Sequence, residues 1–131
     1  MKPQLLLPVA LLVAAGCGKK DAPVPQAAEP PPPAKVAEAT GFSTPESVLW
    51  DAEQQVWFVS NINGSPTAKD GNGFISRLTA DGAVDNTNFV QGGQGGVTLN
   101  GPKGMALVGD TLWVADVDAV RGFNRKTGVP V

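Results

Sequence analysis

The chain has 131 residues, ten Lys and Arg against twelve Asp and Glu, a formal net charge of −2 and no histidine. Charges of both signs are interspersed and no basic run occurs, which excludes a nucleic-acid surface. The missing imidazole excludes His-based triads, His general bases and the commonest nitrogen metal ligand.

The first predicted element is an address. Met1-Lys2 gives a positive start, and Leu5 to Ala15 is a short apolar run. A spanning helix needs ~20 such residues. Residues 1–16 therefore read as a secretory signal peptide. Its end, Ala14-Ala15-Gly16-Cys17, resembles the lipobox of bacterial lipoproteins. The resemblance implies cleavage after Gly16 and a diacylglyceryl group on the Cys17 thiol. The other reading is an ordinary signal peptide beside an incidental cysteine. Cys17 is the chain's single cysteine, so no internal disulfide is open to it. The expected partner is membrane lipid through Cys17, with the protein exported and facing the periplasm or the cell exterior.

Residues 17–40 are the next piece. Eight of the twelve prolines precede residue 41, and residues 18–40 carry no aromatic side chain. Such a segment buries too little apolar surface to offset its ordering entropy. It reads as a disordered tether, with Pro30 to Pro33 in polyproline II form. The alternative is a ligand for an aromatic-lined groove.

Residues 41–131 hold all three Trp and all five Phe. Short apolar runs sit between Gly, Asn, Asp and Pro clusters, with no sustained helical period, which predicts strands and turns. The expected strands are 47–51, 56–60, 73–79, 83–90, 104–108, 111–116 and 119–124, with a hairpin turn at Asp81-Gly82. The two halves repeat. PESVLW matches PKGMAL, Val56–Ser60 matches Leu112–Asp116, and Ile75–Leu78 matches Val120–Phe123. A repeat of ~40–50 residues with about four strands per unit predicts propeller blades. Residues 43–92 would be the first and 99–131 part of a second. The GGQGG run at 92–96 reads as a flexible link between them.

The pieces PESVLWD, VWFVSNI, GFISRLTADG, GPKGMA and LWVADVDAVRGF resemble the regucalcin/gluconolactonase group and the related NHL-repeat propellers. The resemblance implies an all-β, six-bladed propeller with ligands at the mouth of its channel. About one and three-quarter blades are present, and Val131 falls where a fourth strand should begin. The chain therefore reads as the first part of a longer protein. The alternatives are a short protein assembled from several copies, or a small sandwich.

The same resemblance assigns Glu46 to a divalent-metal ligand, Ca²⁺ or another cation; otherwise Glu46 is a solvated side chain at a strand start. The lactonase pattern of Arg and Asn in the second blade is replaced by Pro102-Lys103-Gly104. Lys103 is a candidate for an anionic ligand, or else solvated. Asp116 and Asp118 are read as turn caps, the alternative being a metal site. NGSPTAKDGNG at 63–73 lacks the end carboxylates of an EF-hand loop, and GGQGG lacks the Lys-Ser/Thr of a phosphate loop. The expected function is a membrane-tethered binding module with an unidentified ligand or partner protein, no catalytic residue and no assigned cofactor. The alternative is a metal-dependent hydrolase of lactones or related esters, complete only in a full-length protein.

Overall fold

The computed structural model describes residues 29–131. The signal peptide and Cys17 lie outside them. From Glu29 to Thr40 no helix or strand forms and the chain is exposed, apart from a half-buried Ala39.

Residues 34–131 make one compact unit. The strands are β1 (Pro45–Asp51), β2 (Val56–Asn61), β3 (Phe74–Thr79), β4 (Val84–Gln91), β5 (Met105–Val108), β6 (Thr111–Ala115) and β7 (Val120–Asn124). The all-β expectation holds. Strand ends agree with those read from the sequence to about two residues, the ordinary scatter of element boundaries. The strands form two open antiparallel sheets in sequential order, β1-β2-β3-β4 and β5-β6-β7. Tight turns permit this, as at Asp81-Gly82, where Gly82 takes φ +88°.

The core lies between the sheets. Phe58, Ile75 and Val90 of the first sheet cluster with Leu112, Val114 and Phe123 of the second and with Leu99 of the connection. Each of these side chains is buried. Burying one such side chain stabilises by roughly 1.5–3 kcal/mol, so this layer holds the sheets face to face. Gly73 lets the connection approach, because a Cβ there would sit 2.4 Å from Pro102 Cδ. The 92–96 run is not a loose link. Gly92 N–H donates to Gly73 O at 2.9 Å and Gly93 N–H to Val97 O at 3.0 Å.

Strand pairing corrects the internal alignment. In the first sheet Trp50, Trp57 and Leu78 stand side by side. In the second, Leu107, Leu112 and Phe123 do so. The matches of β1 with β5 and of β3 with β7 therefore stand as read from sequence. The match of β2 with β6 moves by one residue: Trp57 corresponds to Leu112, and Phe58 to Trp113. A second observation agrees. Asn61 Oδ1 accepts the Ser43 N–H at 3.1 Å, and the Asp116 carboxylate accepts the Asn100 N–H at 3.0 Å. Those two caps coincide only in the shifted register, where VSNI lies on VADV.

Candidate functional site

The end of the sheets where β1 and β5 begin gathers the sequence-predicted residues. Register slips by one between Pro45 and Ser47, leaving Glu46 as an extra residue opposite β2. At the matching place Lys103 N–H donates to Ala115 O while Ala115 N–H donates to Gly104 O, so two residues again face one. Glu46 and Lys103 thus occupy the same bulge in the two sheets. β1 lies beside β5, so a negative and a positive side chain start adjacent strands. A bulge bends the strand and re-aims its side chain, and bulges concentrate beside functional sites.

The two residues are differently engaged. Glu46 is exposed, on the rim of a shallow cleft of about 220 Å³ with Pro45, Val48 and Val59. Lys103 Nζ donates to Pro66 O at 2.9 Å and so ties down the long 62–73 loop. Among the described residues no group of three or more His, Cys, Asp or Glu is placed to hold a metal ion.

Asp116 is a structural hub. Its carboxylate accepts the N–H groups of Asn100, Gly101 and Val117 and pairs with Arg121 Nε at 2.6 Å. Burial pushes its carboxyl up, but the Arg121 guanidinium and the three amides together hold it below the usual carboxylate value. Asp118 meets Arg121 Nη2 at 3.0 Å and Lys69 Nζ at 3.2 Å. The turn-cap reading of Asp116 is correct, and Asp118 serves the same corner through its ion pairs.

The opposite end of the sheets holds a group that was not singled out from the sequence. Arg125, beyond β7, reaches Asp51 at the end of β1, pairs with Glu53, and lies 3.4 Å from Asp110 Oδ1. Gln54 Nε2 bridges Asp51 Oδ2 at 2.7 Å and Arg125 O at 3.1 Å. Burial opposes ionisation of Asp51, but hydrogen bonds from Gln54 and Glu53 and the charge of Arg125 hold its carboxyl low. Lys126 Nζ adds a second cation, 3.3 Å from Asp110 Oδ1 and 3.8 Å from Glu53 Oε1, so every carboxylate of the group has a cationic partner and its chemistry is that of a clamp. No local signal could have found it, because its halves come from different sheets.

No protein-family model, curated protein or solved structure matches the chain.

Proposed function

We propose that this chain is a membrane-tethered binding module of the β-propeller type, working outside the cytoplasm. It takes a ligand or partner protein at the end where the Glu46 and Lys103 bulges open. The observation that carries the reading is the repeat of register between the sheets. Phe58 of the first sheet packs inward and its equivalent Trp113 of the second packs outward, while Trp57 faces outward and its equivalent Leu112 inward. The sheets therefore stack front to back, as successive blades do, rather than front to front. Neighbouring first strands, β1 and β5, and paired bulges at one end suit a channel-mouth site. The lipobox-like Ala14-Ala15-Gly16-Cys17 supports the tether.

The test is site-directed photo-crosslinking in the native membrane. A photoreactive residue replacing Glu46 is expected to trap a saturable ligand or partner. The same residue replacing Thr127, exposed in the turn beyond β7 at the far end of the sheets, is expected to trap none. Equal capture at both positions, or none at Glu46, would count against the site.

A further inference from the structure

Where glycine follows Asn or Asp, no side chain shields its peptide nitrogen from the side-chain carbonyl carbon behind it. Asparagine in such a place is thermolabile. The chain has five places of this kind: Asn63-Gly64, Asp70-Gly71, Asn72-Gly73, Asp81-Gly82 and Asn100-Gly101. In four of them the glycine N–H is engaged. Gly71 N–H donates to Asn100 Oδ1 at 3.0 Å and Gly73 N–H to Leu99 O at 3.1 Å. Gly82 N–H donates to Thr79 O at 3.0 Å, and Gly101 N–H to Asp116 Oδ1 at 2.7 Å. A nitrogen so held must give up its hydrogen bond before it can lose its proton and turn on the side chain before it. Gly64 is the exception. It is exposed, and its N–H meets no acceptor among the described residues.

Asn63 is also a fastening of the 62–73 loop. Its backbone N–H donates to Ser43 O at 3.1 Å and its Nδ2 to Asn72 O at 3.0 Å. It holds φ +60°, a left-handed conformation that Asn tolerates better than most residues. The bond to Asn72 O closes the loop beside Gly71 and Gly73, whose amides guard two of the other four places.

We propose that Asn63 is the chain's site of spontaneous deamidation, and that the reaction unfastens the 62–73 loop. The Gly64 nitrogen gives its proton to solvent base and bonds to Asn63 Cγ. The Cγ–Nδ2 bond breaks, and the nitrogen takes up a proton and leaves as ammonia. The cyclic imide that results is opened by water. Attack at Cγ gives aspartate, and attack at the backbone carbonyl gives isoaspartate. Water is consumed and ammonia released, with no enzyme and no oxidant. The new carboxylate has no N–H for Asn72 O and sets a negative oxygen where the donor stood. Isoaspartate also lengthens the backbone by a methylene. The inference holds whatever the end with the Glu46 and Lys103 bulges binds.

Peptide mapping by mass spectrometry tests this on the full chain, kept in detergent micelles in warm, mildly alkaline buffer. In the folded chain acid at position 63 is expected to form at least about tenfold faster than at position 72 or 100. A local opening of ~1.4 kcal/mol at the guarded places already gives that ratio. In strong urea the three Asn-Gly places are expected to react at similar rates, because no hydrogen bond then separates them. Asn72 or Asn100 reacting as fast as Asn63 in the folded chain overturns the proposal. So does an Asn63 that reacts in urea and not in the folded chain. Asn63→Asp reproduces the aspartate product and is expected to speed amide exchange at Gly71 and Gly73. Unchanged exchange there would refute the unfastening of the loop.

Discussion

Asp51 and Arg125 are 74 residues apart in the chain, yet the Arg125 Nη1 lies 3.2 Å from Asp51 Oδ1, both side chains buried between the sheets. The pair joins the end of the first strand to the turn after the last. Removing one partner strands the other in a low-dielectric site, whereas removing both leaves no orphan. We expect Arg125→Met and Asp51→Leu each to lower the urea midpoint, and the double variant to lose less than their sum. Additive losses would show that the two do not act as a pair.

Asp116 should set acid stability. Its folded carboxyl lies below the ordinary value, as does that of Asp51, and unfolding returns both to about 3.9. Their contribution is therefore complete above about pH 4 and drains away as pH falls through the lower folded values, because the unfolded chain binds the protons first. Urea midpoints are expected to drop from pH 6 to pH 3, and the drop to shrink in Asp116→Asn. Asp116→Ala at pH 7 should cost on the order of 2–4 kcal/mol, since buried amides of Asn100 and Gly101 lose their acceptor. A pH-independent midpoint would refute the assignment.

Phe58 and Leu112 face each other's sheets in the core, and neither side chain is accessible. Phe58→Ala is expected to cost about 3–5 kcal/mol and Leu112→Ala about 2–5 kcal/mol. Both should be read by equilibrium denaturation. Losses below about 1 kcal/mol, the scale of surface changes, would mean that the sheets do not pack as described.

The anchor has its own test. With Cys17 as the only thiol, wild type should incorporate labelled fatty acid and partition into detergent, and Cys17→Ser should do neither. Label that survives Cys17→Ser would defeat the lipoprotein reading.

Catalysis is the last point. A Ca²⁺ site takes ~6–8 oxygen ligands, some from water, and Glu46 stands without a cluster of carboxylates around it among the described residues. We expect no metal-stimulated hydrolysis of gluconolactone above background, and no difference between wild type and Glu46→Gln. Metal-dependent turnover that disappears in Glu46→Gln would promote the hydrolase alternative over the binding module.

The amino-acid order by itself determined the seven strands, because turn residues and short apolar runs act locally. Asp81-Gly82 must turn wherever it sits, and the run at Val56–Asn61 is extended whatever packs on it. The repeat was legible for the same reason, as was the cap role of Asp116. The register of β6 was not. Trp57 and Trp113 are the most conspicuous letters of their strands, and pairing them puts β6 one residue out. Side chains alternate with period two, so that slip would exchange every inward residue for an outward one. Only the cross-strand partners Leu107, Leu112 and Phe123 decide that Trp113 faces out. The bulge shared by Glu46 and Lys103 is a property of pairing, and the clamp of Asp51 on Arg125 is a property of two sheets meeting. Neither is written in any one stretch of chain, because both depend on contacts between distant segments that local propensity does not encode.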